Sequence, residues 1–220
     1  MHLEQVELLR CPSPHASGVL VAASDVTSAR YIMQGVLGCP GCGAEFQIRN
    51  GISIFDTDAG DAEFSADEDA TDTAGEQALR VAAQLSMTEG RSVYALVNSS
   101  ARIVMALREL VPARLMLVNP ADILSLHDPS VALAIAPAGI VRTHDMRPLA
   151  HAKFDGVAFA REPWPDALDQ AVKLLKPGGR LVAPAGCELP GGVTELVRDE
   201  REWVAVRDSV ASQPVGITRR

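Results

Sequence analysis

Short apolar runs alternate with helix-like patterns from residue 92 to residue 184 of this 220-residue chain, and the alternation restricts the folds that it can adopt. Ser92–Val97 has the β-prone composition of a buried strand, and Ala101–Leu110 then carries apolar residues at helical spacing. Strands that alternate with helices pair in parallel within one sheet, and the helices cover its faces. The sequence therefore predicts an α/β domain.

The remaining elements of this region follow from the same signals. We expect strands in four further places: 114–118, 139–143, 154–160 and 180–184. Asp166 is expected to cap a helix that ends at Pro177-Gly178-Gly179. Residues 120–136 fit a helix and a strand equally well. Glu195–Val197 and Trp203–Arg207 predict a closing antiparallel hairpin.

An acidic segment separates this region from the N-terminal part of the chain. Asp56–Glu76 holds nine acidic residues and no Lys or Arg, and Phe64 is its only large apolar residue. Such a composition buries too little apolar surface to offset the entropy lost on ordering. We therefore predict a head at 1–55, a linker at 56–77, a body at 78–211 and a tail at 212–220.

The formal net charge of −8 comes from this acidic segment, because the rest of the chain has nineteen acidic residues against twenty Lys and Arg. No Lys/Arg cluster with interleaved aromatic residues occurs, which disfavours nucleic-acid binding. No apolar run approaches the roughly 20 residues that a membrane-spanning helix needs, and the N-terminus lacks the layout of a signal peptide. We expect no membrane association and a cytoplasmic location.

A candidate zinc site lies in the head. Cys39 and Cys42 stand in the run Cys-Pro-Gly-Cys-Gly, whose glycines permit the tight turn that lets two thiolates hold one side of a tetrahedral zinc ion. Cys11 offers a third thiolate, and His15 follows it closely. The predicted ligands are therefore Cys11, His15, Cys39 and Cys42. The alternative is that the head has lost zinc and that Cys39 and Cys42 are a packed relic pair. Cys187 stands alone and is expected to be a small buried residue.

Two runs in the body, Phe154-Asp155-Gly156-Val157 and Leu174-Leu175-Lys176-Pro177-Gly178-Gly179-Arg180-Leu181-Val182, resemble the segment from the fourth to the fifth strand of class I S-adenosylmethionine-dependent methyltransferases. Thr143–Leu149 falls where that family has a Gly-Asp pair and a short loop. The resemblance covers most of 90–185. It implies a Rossmann-like sheet and a cofactor held at the ends of the first three strands.

The residues that would hold this cofactor depart from the family pattern. The resemblance places an acid at Ala95 and three glycines at Val97, Ser99 and Ala101, and each replacement adds bulk where the family has bare backbone. The ribose-binding acid of the second strand is replaced by Asn119, which carries no charge. Asp145 matches the acid that family members direct at the adenine, although a loop acid or turn cap would look the same in the sequence. We therefore expect S-adenosylmethionine not to bind tightly.

The head resembles the small zinc-ribbon proteins that activate methyltransferases, a ribbon that is also found fused in front of bacterial methyltransferase domains. The resemblance rests on Leu8–Pro12, Gly38–Phe46 and Ile48–Phe55. That family has Cys-Pro-x-Cys where this chain has Cys11-Pro12-Ser13-Pro14, so His15 would supply the fourth ligand. The fold class expected for the whole chain is α/β, a class I methyltransferase sheet with a small β-rich zinc-ribbon-like domain.

Two functions remain open from the sequence, and a third, a pocket adapted to another small ligand, has no support beyond the fold. The first is a non-catalytic methyltransferase-like protein that serves as a scaffold or partner-binding module, with a protein partner or a second copy expected and no catalytic residue assigned. The second is an active methyltransferase that holds its cofactor unusually, through Asn98, Ser99, Asn119 and Asp145. The sequence contains no Gly-x-Ser-x-Gly elbow and no phosphate-binding glycine loop, so these motifs give no indication of another chemistry.

Overall fold

The chain was studied as a computed structural model, which describes residues 1–15, 18–28, 30–56, 73–88, 90–121 and 138–209. Within these residues eleven strands form one sheet. The strands are β1 Val21–Ser28, β2 Tyr31–Gly38, β3 Glu45–Arg49, β4 Ile52–Ile54, β5 Val93–Val97, β6 Arg114–Val118, β7 Gly139–Arg142, β8 Phe154–Phe159, β9 Leu175–Pro184, β10 Val193–Arg198 and β11 Glu202–Arg207. The helices are a 3₁₀ helix, Leu3–Leu8, and three α-helices, α1 Ala74–Gln84, α2 Ala101–Leu110 and α3 Ala167–Leu174.

The centre of the sheet is parallel and has the strand order β7-β6-β5-β8-β9. Counted from β5 as the first strand, this order is 3-2-1-4-5, which the doubly wound Rossmann fold shares. β11 pairs antiparallel with β9, and β10 pairs antiparallel with β11. The predicted α/β class, the Rossmann-like sheet and the closing hairpin are confirmed.

The β-rich N-terminal part extends the same sheet. β1 to β4 form an antiparallel meander, and β4 then pairs in parallel with β7 of the body. The predicted division into head and body stays a prediction, but the backbone hydrogen bonds of the sheet run across it. The predicted linker falls mainly on 57–72, which lie outside the described residues. Helix α1 begins inside its predicted range because Thr73 and Glu76 form a capping box.

Each face of the sheet packs against its own set of elements. Alternate residues of β5 point to opposite faces, with Val93, Ala95 and Val97 in one apolar cluster and Tyr94 and Leu96 in the other. The first cluster includes buried residues of α3 and of the N-terminal part, and the second includes those of α1 and α2. The N-terminal part and α3 therefore share one face. None of the helices in the described ranges is long and apolar enough to cross a membrane.

Two local predictions in the body are wrong. Pro177-Gly178-Gly179 does not end a helix, since α3 ends at Leu174 and the run lies within β9. The pairing of β9 with β8 shifts register there, and Gly178 takes a φ of +78°, so the irregular stretch accommodates a proline without an N–H. Asp166 precedes α3 but makes no side-chain cap, because its own φ is +63°. The ambiguous stretch 120–136 lies almost wholly outside the described residues.

Candidate functional site

Four sulfur and nitrogen ligands meet on the face shared by the N-terminal part and α3. The ligand atoms of Cys11, His15, Cys39 and Cys42 all lie within 4.8 Å of one another. Cys39 and Cys42 stand in the turn between β2 and β3, which is closed by hydrogen bonds from Cys39 N to Ala44 O and from Gly43 N to Cys39 O, both 2.8 Å. The left-handed φ of Gly43, +72°, permits this turn.

Two of the distances between donor atoms are close to the edges of a tetrahedral zinc site. The Sγ atoms of Cys11 and Cys42 are 3.7 Å apart, and Cys39 Sγ lies 3.3 Å from His15 Nε2. With zinc–sulfur bonds of ~2.3 Å and zinc–nitrogen bonds of ~2.0 Å, the edges of a tetrahedron are about 3.8 Å and 3.5 Å long. The cluster could therefore hold a zinc ion. All four ligands would come from the protein, which is typical of a structural site.

The thiols of this cluster differ in their acidity. Burial raises the pKa of Cys39, but the backbone N–H groups of Cys42 and Gly41 point at its sulfur and lower the pKa below its ordinary value. Burial keeps the pKa of Cys11 above its ordinary value, although contacts with Ser13 oppose this. Because thiolates are the form that binds metal, Cys39 is better prepared to ionise than Cys11.

Cys187 lies apart from this cluster. It is half-buried rather than fully buried as predicted, and its backbone carbonyl accepts a hydrogen bond of 3.0 Å from Trp203 Nε1. Burial, followed by the nearby charge of Glu162, raises the pKa of its thiol. These conditions keep the thiol protonated and unreactive.

The second group of predicted residues follows the carboxyl ends of β5 and β6. Asn98 and Ser99 are buried, and Asn98 has a left-handed φ of +56°. Asn119 occupies the equivalent place after β6, with a φ of +48°. The two backbones continue the sheet, because Asn98 N donates to Val118 O and Asn119 N to Val141 O, each at 2.9 Å. Asparagine tolerates this conformation better than other residues with a side chain.

The side chain of Asn119 bonds to the next strand of the chain. Its Nδ2 donates to Thr143 O at 2.6 Å, and its Oδ1 accepts from Thr143 N at 2.9 Å. The carboxamide thus mimics a peptide group and extends the ladder from β6 to β7. One donor and one acceptor that could meet a ribose are already used within the protein.

Asp145 closes its own loop in a similar way. Its Oδ1 accepts from the backbone N–H of Arg147 at 2.9 Å, and its Oδ2 contacts Arg147 Nε at 2.5 Å and His144 Nε2 at 3.3 Å. The side chain is 12% exposed. His144 in turn contacts Asp56 through Nδ1 at 2.9 Å. Asp145 therefore has the contacts of a turn-capping residue.

The Cys/His cluster and the loop that carries Asp145 are joined through the segment that carries Cys11. Leu9 and Leu149 form an isolated β-bridge, Arg10 N donates to Pro148 O, and Ala150 N donates to Leu8 O, the last two at 2.8 Å. A cavity of about 280 Å³ lies at this junction. It is lined in part by Arg10, Arg147, His151 and Lys173. The sequence does not indicate this cavity, because no local spacing links residues that lie so far apart along the chain.

No protein-family model matches the sequence, and no curated protein matches it either. Among solved structures, similar folds include the geranyl diphosphate C-methyltransferase of Streptomyces coelicolor A3(2) in complex with Mg²⁺, geranyl-S-thiolodiphosphate and S-adenosyl-L-homocysteine, at 18% identity and a TM-score of 0.39 over 49% of this chain and 42% of that one. TrmN from Thermus thermophilus matches at 16% identity and a TM-score of 0.47, over 63% of this chain and 51% of that one.

A third structure is phosphoethanolamine N-methyltransferase 2 of Haemonchus contortus in complex with S-adenosyl-L-methionine. It is 12% identical, with a TM-score of 0.39, over 56% of this chain and 30% of that one. This chain therefore spans about half or less of the length of these three proteins. The likeness is one of fold.

Proposed function

We propose that this chain is a zinc-stabilised, non-catalytic methyltransferase-like protein that acts as a scaffold or partner-binding module. The observation that carries the proposal is the double hydrogen bond between the Asn119 carboxamide and the backbone of Thr143. This pair of bonds occupies the side chain of Asn119, at the position where the family resemblance implies an acid that is free to bind a ribose.

Binding a nucleoside cofactor at these strand ends would require internal contacts to break. A buried group that loses its hydrogen-bond partner costs about 1–3 kcal/mol, and Asn119 and Asp145 would both be affected. Val97 and Ala101, at two of the implied glycine positions, have side chains within the two apolar clusters. Their removal from those clusters would cost further free energy. Tight binding of S-adenosylmethionine is therefore disfavoured.

Zinc has a structural role in this proposal. The four ligands join residues 11–15 to the turn between β2 and β3, and the same N-terminal segment pairs with residues 148–150 of the body. A bound zinc ion would fix this segment against the sheet from both sides. It would supply no open coordination position for a substrate, because all four positions would be filled by protein.

The sheet also offers surfaces for a protein partner or a second copy. β1 and β10 are its two outermost strands. Val21 and Val26 of β1 and Leu196 and Val197 of β10 are at least half exposed. An outer strand has unpaired backbone groups that can pair with another chain. Sedimentation velocity of the wild type and of Val26→Lys tests self-association, which the substitution should weaken.

The central test is calorimetry of the zinc-loaded full chain with S-adenosylmethionine and S-adenosylhomocysteine. We expect no binding of either at millimolar concentration. Micromolar binding would overturn the proposal in favour of an active methyltransferase that uses Asn98, Ser99, Asn119 and Asp145. In that case Asp145→Ala should abolish the affinity, whereas Asp25→Ala, a change on an exposed strand, should not.

A further inference from the structure

The cavity of about 280 Å³ lies between the segment Arg10–His15, the loop after β7, and α3. We call it the cationic cavity and define it by Arg10, Arg147, His151 and Lys173, with Met146 on its apolar wall. Arg10 belongs to the N-terminal segment, Arg147 and His151 follow β7, and Lys173 lies in the last turn of α3. Three separate parts of the chain thus bring basic groups to one concave surface.

Three of these four basic groups have no acidic partner among the described residues. Arg10 Nη1 lies 3.1 Å and 3.2 Å from the two ring nitrogens of His151. Of the ion pairs found in the described part of the chain, none includes Arg10, His151 or Lys173. Only Arg147 has an acidic partner, Asp145. Arg10 and His151 contact each other, and Arg147 and Lys173 are exposed at the same cavity.

The pKa of His151 reflects the positive charges around it. Burial lowers the pKa of its imidazole, and the positive charges of Arg10, Lys173 and Arg207 lower it further. Charges of one sign that line a cleft raise the local concentration of ligands of the opposite sign. An anion in the cavity would remove the repulsion among these groups.

We propose that the cationic cavity binds the phosphate group of a small phosphorylated molecule. A guanidinium offers a planar pair of donors that suits phosphate oxygens, and an ammonium and an imidazole supply further donors from other directions. Met146 and Pro12 provide an apolar wall for the organic part of the ligand. The volume is close to the lower end of small-molecule pockets, about 300 Å³, which favours a metabolite over a macromolecular chain.

This inference goes beyond the proposed function and does not depend on it. Asn98, Ser99 and Asn119 do not line the cavity. The absence of S-adenosylmethionine binding would therefore leave the inference intact, and a failure to bind phosphate would leave the scaffold proposal intact.

The test is calorimetry of the zinc-loaded full chain with three probes: inorganic phosphate, glycerol 3-phosphate and acetate. We expect saturable binding of the first two, tighter for glycerol 3-phosphate, and none for acetate. Lys173→Ala should weaken phosphate binding about tenfold, because a charge-assisted hydrogen bond typically contributes ~1.5–3 kcal/mol. Lys173 is exposed on α3, so the variant should fold normally.

Arg102→Ala is the matched control, since Arg102 is an exposed basic residue of α2, which packs on the opposite face of the sheet. Equal phosphate affinity of the two variants, or no saturable binding to the wild type, would overturn the inference. Preference for glycerol 3-phosphate indicates an organic phosphate, and equal affinity indicates free phosphate. Metal analysis after titration should show unchanged zinc. If the measured heat accompanies loss of zinc, the inference is contradicted. Tighter binding of a short oligonucleotide than of glycerol 3-phosphate would also contradict it.

Discussion

The candidate zinc site and the ends of strands β5 to β7 are both sets of polar side chains gathered by turns, but they differ in whether their binding atoms are already used. At the candidate zinc site, three sulfurs and an imidazole nitrogen lie within 4.8 Å of one another. At the strand ends, Asn119 bonds to Thr143 and Asp145 bonds to Arg147. The comparison shows that a binding site depends on donors that remain directed at a shared point.

Loss of zinc should have the largest effect. Binding of structural zinc contributes about 10 kcal/mol or more in small zinc domains. Chelation, or the double change Cys39→Ser with Cys42→Ser, should abolish metal content and greatly lower the unfolding temperature. Metal analysis and thermal denaturation measure both. Cys187→Ser, a cysteine outside the cluster, should keep the metal and most of the stability. A double variant that is stable without metal would indicate that the four residues no longer need zinc. The difference between the candidate zinc site and the strand ends would then disappear.

Asn119→Ala should have the second-largest effect. It removes both hydrogen bonds to Thr143 and leaves that N–H and carbonyl without this partner, which should lower the free energy of unfolding by about 2–3 kcal/mol. Urea denaturation measures the change. Asn119→Asp keeps the acceptor for Thr143 N but places a carboxylate oxygen against Thr143 O, so its loss should not be smaller than that of Asn119→Ala. A stability equal to that of the wild type would mean that Asn119 is available for a ligand after all.

These two regions also differ in how well the sequence predicted them. Cys39 and Cys42 share one turn, so a local motif was enough to identify half of the metal site. The contacts of Asn119 and Asp145 depend on which strands become neighbours, and the sequence indicated only their positions at strand ends. The periodicity of Ala101–Leu110 and Arg114–Val118 predicted those elements with their observed bounds.

Errors arose where tertiary pairing overrode local preference. Pro177-Gly178-Gly179 usually stops a helix, but here residues on either side of the run, Leu175 and Arg180, pair with β8, so that the run becomes an irregular stretch within β9. The parallel pairing of β4 with β7 was not predictable, because nothing local in Ile52–Ile54 specifies a partner beyond residue 138. The cationic cavity was missed for the same reason, since Arg10 and His151 are 141 residues apart.

Ionisation of Tyr31, in the N-terminal part, tests whether the N-terminal part and the body unfold together. Its hydroxyl is buried without a hydrogen-bond partner in the described structure, and burial raises its pKa to about 12. Between pH 10 and 12 the unfolded chain loses this proton and the folded chain keeps it, so stability is full below pH 10 and falls as the pH rises. The loss should reach about 2 kcal/mol.

Tyr31→Phe should remove this part of the alkaline loss, and it should not lower stability at neutral pH, because it deletes an unpaired buried hydroxyl. Since β4 joins the N-terminal meander to β7, we expect one unfolding transition by both far-ultraviolet circular dichroism and tryptophan fluorescence. The tryptophans report on the body, because Trp164 and Trp203 both lie there. A tryptophan signal that does not respond to the Tyr31 change would mean that the N-terminal part and the body unfold separately.

The smallest effect is expected for Asn98→Gly. Asn98 is the residue of its turn with a left-handed φ, a conformation in which glycine is unstrained and asparagine is tolerated, so the stability should change by less than about 1 kcal/mol. Val97→Gly is the matched comparison, because the family resemblance places a glycine there. Val97 is fully buried, so this change should cost about 3 kcal/mol or more.

Ser99→Gly, at one of the three implied glycine positions, separates two reasons for a lack of S-adenosylmethionine binding. If the missing glycine were sufficient reason, the variant should gain measurable affinity in calorimetry. We expect no gain, because Asn119 and Asp145 keep their internal hydrogen bonds in the variant. The double variant Ser99→Gly with Asn119→Asp adds a carboxylate at the second strand end, where the resemblance implies a ribose-binding acid. Affinity in Asn119→Asp alone would show that the uncharged side chain closes the site, and affinity only in the double variant would show that the backbone and the side chain both close it.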